Sequence, residues 1–350
     1  MNTSQYQPMV EVWRGPLVES LHFGAAVVVD ARGRLVASFG DPQTVTFWRS
    51  AAKPYQALPF LESGGAEEFG LTDREIALIC SSHSGTDEHV RTVQGIQAKT
   101  GVVEGDLMCG THMPYDLSTQ VRLIRNGEEP TPNRHNCSGK HTGMVASAIM
   151  QHLPKADYIN PNHPLQRAIL SAFAQMCGLE ENQVALGIDG CSAPNFATPL
   201  FNAALAFARL ADPSPDLPDR RAAALTRIYR AMTANPDMVG GPGRFDTRLM
   251  EVMDGALLTK AGAEGYQAVA LRPGALGAGS PALGIALKIA DGDAASRAKV
   301  TAVMEVLRQL GALNAGQETA LSEFSDRRMY NFRKLDVGEV RAAFRLEMHR

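Results

Sequence analysis

The chain has 350 residues, 45% of them apolar, and a formal net charge of -3. That is enough length and hydrophobic surface for one large domain or two interlocked subdomains, and it rules out disordered and fibrous classes. Both charge signs are scattered without a basic stripe, so nucleic acid finds no electrostatic footprint and the expected partner is a small molecule. No apolar run approaches the ~20 residues of a membrane span, and Met1 to Gly15 does not read as an export signal, so no membrane insertion is expected. The five cysteines, Cys80, Cys109, Cys137, Cys177 and Cys191, form an odd and sparse set. Reduced thiols in a cytoplasmic protein fit that usage best.

In chain order, Ala25 to Asp30 and Arg34 to Phe39 are β-branched runs around Ala31-Arg32-Gly33 and predict a hairpin. Ile76 to Cys80 reads as a short buried strand, and the polar turn Ser81-Ser82-His83-Ser84-Gly85 leads from it into a helix. Helical spacing follows over Pro164 to Cys177, Leu200 to Leu210 and Arg220 to Thr233, with a proline-rich linker at Asp212 to Pro218 and a break at Val239 to Gly243. Tyr266 to Leu271 and Gly284 to Ala290 return to strand character, and Ala294 to Leu310 predicts a long amphipathic helix. Strands at both ends with helices between give an α+β fold without internal repeats. The reading is a single domain over 1–350, with a sheet portion at about 8–50 and 245–350 and a mainly helical portion at about 51–244.

Several strings carry chemistry. Ser50-Ala51-Ala52-Lys53 puts a hydroxyl and an amine three residues apart, on one face if helical, where they can share a proton. Pro54 requires the helix to start close to Ser50, and a lysine base there must be neutral to act. Ser82 is a second candidate hydroxyl, its bland alternative being a helix cap, and His83 and His89 read as solvated loop histidines rather than metal ligands. Asn136-Cys137-Ser138-Gly139-Lys140-His141 gathers a thiol, an amine and an imidazole in five residues. Cys191, in Gly187-Ile188-Asp189-Gly190-Cys191, supplies a second thiol, and the two could share a soft metal such as zinc or simply be buried and inert. Lys260, one of only eight lysines, stands among small residues just ahead of a strand.

Taken together, Arg49-Ser50-Ala51-Ala52-Lys53-Pro54, Ser82-His83-Ser84-Gly85, Asn136 to His141, Asp189-Gly190-Cys191 and Lys260-Ala261-Gly262-Ala263-Glu264-Gly265 resemble the Rhizobium etli-type, or class 3, L-asparaginases. The resemblance implies a serine β-lactamase/glutaminase-like fold and hydrolysis of L-asparagine to L-aspartate and ammonia. It implies two serine–lysine pairs, Ser50 with Lys53 and Ser82 with Lys260, and a zinc ion held by Cys137, Lys140 and Cys191. Arg49 would clamp the substrate carboxylate and Asp189 its α-ammonium, with His141 among the substrate-binding residues, in a homodimer. The alternatives are a glutaminase or other serine acyl hydrolase of the same fold, and, in a different class, a thiol- or metal-sensing binding protein built on Cys137 and Cys191.

Overall fold

A computed structural model describes residues 5–349, which divide into two compact units. One holds the chain up to Ala51, Thr198–Asp212 and the chain from Thr259 on; the other holds Ala52–Ala197 and Pro213–Leu258. The helical portion expected over 51–244 therefore reaches Leu258 and gives up residues 198–212 to the sheet unit. The proline-rich stretch expected as a linker falls where the chain passes between units. Among the described residues no helix is long and apolar enough to cross a membrane.

In the sheet unit the strands lie in the order Arg328–Tyr330, Asp336–Ala342, Gln7–Arg14, Leu17–Asp30, Leu283–Ile289, Tyr266–Leu271 and Leu257–Ala261. Leu35–Phe39 pairs with Leu17–Asp30 and with Glu347–Met348. Both ends of the chain thus enter one sheet, with Val12 opposite Val340 and Val28 opposite Ile285 in antiparallel register. The predicted hairpin is present, turning at Gly33 with its φ of 83°. Ala25 to Val29 are wholly buried, as expected of a central strand covered on both faces. This is the α+β architecture, with a sheet assembled from both chain ends, that the order of elements predicts.

The helix Leu200–Ala211 lies against this sheet because both surfaces are small. Ala203, Ala204, Ala206 and Ala208 are wholly buried, and a Cβ added to Gly284 would sit 1.8 Å from the Ala204 carbonyl oxygen. The last long helix is shorter than its apolar periodicity suggests, covering Ala298–Gln309 instead of starting at Ala294. The Asp293 carboxylate accepts from the N–H groups of Arg297, Ala298 and Lys299. It thereby satisfies the helix's free donors from outside and fixes where the helix begins.

In the helical unit Ile76 to Cys80 corrects the strand expectation: Asp73–Ile79 is a helix, opened by a reciprocal capping box between Thr72 and Glu75. Every residue from Glu75 to Ile79 is buried, and an unbroken apolar run carries no period from which helix and strand can be told apart. Pro164–Cys177 and Asp219–Ala234 are helices where predicted. At the centre lies Ser138–Met150, buried from Ser138 through Ala148. Gly139 and Gly143 form its contact with the Asp73–Ile79 helix, since added Cβ atoms would lie 2.3 Å from Leu78 O and 2.8 Å from Ile79 Cγ2. The two glycines are thus explained by helix packing.

Gly284→Ala tests how far the sheet unit depends on close backbone approach. The methyl must displace helical backbone, so urea unfolding is expected to show a loss on the order of 2 kcal/mol; an unchanged midpoint would mean that the helix yields freely.

Candidate active site

In the helical unit the site begins at Lys53. A 3₁₀ turn at Arg49–Ala52 precedes the short α-helix Lys53–Gln56, with Pro54 in its first turn, so the helix proper begins at Lys53 and Ser50 occupies the turn before it. Lys53 is 1% exposed. Its Nζ donates to Ser81 O at 2.5 Å, Ser82 Oγ at 3.0 Å and Asn136 O at 3.3 Å. Ser82 is therefore no helix cap: its backbone N–H bonds Val239 O, and the following helix, Asp87–Thr100, is capped by Thr86.

His83 and His89 correct the expectation of solvated loop histidines. They are 0% and 1% exposed and stack with ring centroids 4.9 Å apart. The Gly85 N–H donates to His83 Nδ1, so Nε2 carries the proton and donates it to Ser138 Oγ at 2.9 Å; Ser138 in turn donates to Asn133 O. This chain ties the Ser81–Gly85 turn to the N-terminus of the Ser138–Met150 helix.

Cys137 occupies the N-cap of that helix, and Lys140 its first turn. Cys191 arrives from the turn after the strand Ala185–Ile188, where Ser192 adopts a φ of 70°. One ligand atom each from Cys137, Asp189 and Cys191 lies within 4.8 Å of the others, and Lys140 Nζ is 2.9 Å from Cys191 Sγ. The structure thus brings together Cys137, Lys140 and Cys191, and adds the carboxylate of Asp189.

Charge in the cluster is strongly coupled. A hydrogen bond from Cys191 holds the Cys137 thiol well below its ordinary range, burial opposing and Lys53 and Lys140 assisting. The same bond, with burial, raises Cys191. Burial disfavours the Lys140 ammonium, but the two sulfurs outweigh it and raise its pKa. Cys109 is pushed up to about 12 by burial and by the neighbouring thiols. His141 is wholly buried beside the cluster, its Nδ1 2.5 Å from the Tyr158 hydroxyl. Burial pushes it down to about 4. Sequence reasoning missed Tyr158, which stands outside every marked string with no spacing to pick it out.

In the sheet unit, Lys260 stands ahead of the strand Tyr266–Leu271, as expected, and itself belongs to the strand Leu257–Ala261; it is wholly buried and donates to Ala261 O at 3.0 Å. Arg49 and Ser50 belong to the same unit. Arg49 has a φ of 52°, and its guanidinium is 3.9 Å from the Glu264 carboxylate.

The sequence matches the L-asparaginase II family over residues 10–342. The chain belongs to this family. Membership makes the protein an amidohydrolase, and the strings compared above with class 3 L-asparaginases all lie inside the matched residues. No curated protein sequence matches this asparaginase-family chain. Solved structures similar to it include a probable glutaminase from Bacillus subtilis in complex with 6-diazo-5-oxo-L-norleucine, at 12% identity and a TM-score of 0.38 over 82% of this chain and 83% of that one. A Bacillus glutaminase crystallised in concentrated NaCl is 11% identical, with a TM-score of 0.37 over 82% and 90% of the two chains.

The buried histidine pair gives this family member a pH dependence. Burial first, then His89, Lys53, His135 and His112, hold His83 well below the ordinary histidine range; burial also lowers His89. In the unfolded chain both titrate near about 6.5, so below that pH the unfolded state binds protons that the folded unit refuses. The stability is fully present above about 6.5 and is lost as pH falls further. Urea midpoints from about pH 7.5 to 5 should therefore decline, with a shallower decline in His83→Asn; equal slopes would show that His83 takes no part.

Proposed function

We propose that the protein hydrolyses L-asparagine to L-aspartate and ammonia through an acyl-enzyme. The observation that carries this reading is the buried Lys53 nitrogen, 3.0 Å from the Ser82 hydroxyl and three residues after Ser50, in a chain of the L-asparaginase II family. Ser50, three residues before Lys53, is the nucleophile. In the neutral form required of a base, Lys53 keeps two of its three donated hydrogen bonds; it takes the Ser50 proton as Ser50 attacks the side-chain amide carbon and returns it to the amide nitrogen as the C–N bond breaks, so that ammonia leaves and a β-aspartyl ester remains for water to hydrolyse. Ser82 and Lys260 relay protons in this scheme, and the Lys53–Ser82 hydrogen bond supports a route from the first pair into the second. Arg49 holds the substrate α-carboxylate, Asp189 the α-ammonium, and His141 a further substrate oxygen. A glutaminase differs by one methylene, worth only ~1 to 3 kcal/mol of pocket discrimination, so some turnover of glutamine accompanies the main reaction. The reading places the enzyme in the cytoplasm as a homodimer.

Zinc belongs to the proposal. Two sulfurs and a lysine nitrogen converge, and the sulfur and carboxylate donors are close enough together for a small tetrahedral ion; a thiolate pair is a donor set that zinc favours. Cys137, Lys140 and Cys191 would hold it. When bound, zinc supplies a positive charge that orients and polarises substrate oxygens. Lys140 must lose its proton to bind, so affinity falls with pH.

Ammonia release from L-asparagine and L-glutamine by the wild type, Ser50→Ala and Lys53→Ala tests the mechanism, with zinc content measured on the same samples. Both variants should retain zinc and lose at least about a hundredfold in kcat. A wild type inactive on asparagine would instead favour the thiol- or metal-binding reading.

Chelation tests the role given to the metal. Stripping zinc should mainly raise KM for asparagine, and kcat at saturation should survive; loss of kcat with unchanged KM would assign the metal to the chemistry.

A further inference from the structure

Tyr158 lies in the loop between the helices Ser138–Met150 and Pro164–Cys177, outside every string that marks the site in the sequence. It is wholly buried. Its hydroxyl oxygen accepts the Met108 N–H at 2.9 Å and lies 2.5 Å from His141 Nδ1. The loop itself is pinned where Gln166 Nε2 donates to the Tyr158 carbonyl at 2.9 Å, and the two rings meet edge to face with centroids 5.6 Å apart.

A phenol has one proton to give. The Met108 N–H uses one lone pair of the oxygen, and the acceptor in range for the phenol proton is His141 Nδ1. If Nδ1 instead carried the hydrogen, a fully buried phenol proton would be left without an acceptor, which costs more than a made hydrogen bond gains. Nδ1 is therefore the bare nitrogen and Nε2 the protonated one. His141 Nε2 is itself buried and has no hydrogen-bond partner among the described residues. The Cys191 thiol acts on the His141 side chain as a hydrogen-bonding neighbour and Lys140 acts on it electrostatically, but Nε2 completes no hydrogen bond of ordinary geometry. Nε2 thus stands beside the Lys140–Cys191 pair without an oxygen partner among the described residues.

We propose that Tyr158 is a positioning residue: it fixes the His141 tautomer so that Nε2–H is presented as a neutral donor to an oxygen of the bound amide substrate. The inference rests on the placing of His141 with the substrate under the proposed function. It goes further in assigning a direction to the hydrogen bond and a second residue that sets it. A neutral donor suits a carbonyl or carboxylate oxygen, and it adds no positive charge beside Lys140. With the opposite tautomer the same ring would present a lone pair to that oxygen and repel it.

The test reads the tautomer directly and separately from activity. In wild-type protein labelled with ¹⁵N-histidine, the His141 signals, assigned by their loss in His141→Gln, should show an unprotonated Nδ1 and a protonated Nε2. Tyr158→Phe keeps the ring packing and removes the hydroxyl; it should redistribute the tautomer and raise KM for the amide substrate about tenfold, with kcat within about twofold. A wild type with Nδ1 protonated overturns the proposal whatever the substrate proves to be. So does a Tyr158→Phe enzyme with the tautomer and KM unchanged. If Tyr158→Phe fails to fold, the wild-type spectrum still decides the assignment, and an enzyme inactive on asparagine with the expected tautomer would count against the substrate alone.

Discussion

The helical unit is organised around one buried nitrogen. Lys53 Nζ has three oxygen acceptors drawn from two separate segments: Ser81 and Ser82 after one helix, and Asn136 just before another. A buried amine left without acceptors costs several kcal/mol, so each segment is fixed with respect to the same atom. The His83–Ser138 hydrogen bond repeats the tie one residue beyond Ser82 on one side and two beyond Asn136 on the other. Ser82, the hydroxyl bonded to Lys53 in one segment, and Cys137, the thiol that opens the other, are therefore placed in common register.

That register gives the sulfur cluster its electrostatics. Cys137 sits at the amino end of a thirteen-residue helix, where free N–H groups favour negative charge, with the Lys53 and Lys140 amines in reach. The hydrogen bond with Cys191 favours the anionic form of Cys137, and Lys140 Nζ, 2.9 Å from Cys191 Sγ, is favoured as a cation by both sulfurs. The zinc ion proposed for this cluster would have to displace the Lys140 proton and any thiol proton to enter, so the cluster would be preorganised in position while its protons compete with the metal.

The hairpin, the central helices and the sheet built from both ends were legible because period and turn chemistry agree there. Ile76 to Cys80 was not, because burial on every side removes the period that separates helix from strand. The chemical strings could be read where unusual residues stand together, as in Cys137 to His141. The histidines at 83 and 89 were misjudged because a polar turn usually faces water, whereas here the turn is drawn inward by Lys53 and its polar groups are met by partners from distant segments. Tyr158 was invisible for the same reason: its role comes from contacts with Met108 and His141, each far away in sequence.

The backbone takes up left-handed conformations at several residues next to the candidate site. Arg49, Ser192 and Glu264 have φ values of 52°, 70° and 58°, a region in which a side chain costs on the order of 1 kcal/mol or more and glycine costs little. Arg49 directly precedes Ser50 and Ser192 directly follows Cys191, while Glu264 lies four residues beyond Lys260 and faces the Arg49 guanidinium. The chain uses glycine freely elsewhere, including at Gly265 directly after Glu264. The conformation is not confined to the candidate site, since His152, Asp157, Asp254, Asp293, Ser296 and Lys334 share it. At Arg49 the bend has a visible structural consequence, because it opens the turn that contains Ser50 and sets the guanidinium 3.9 Å from the Glu264 carboxylate.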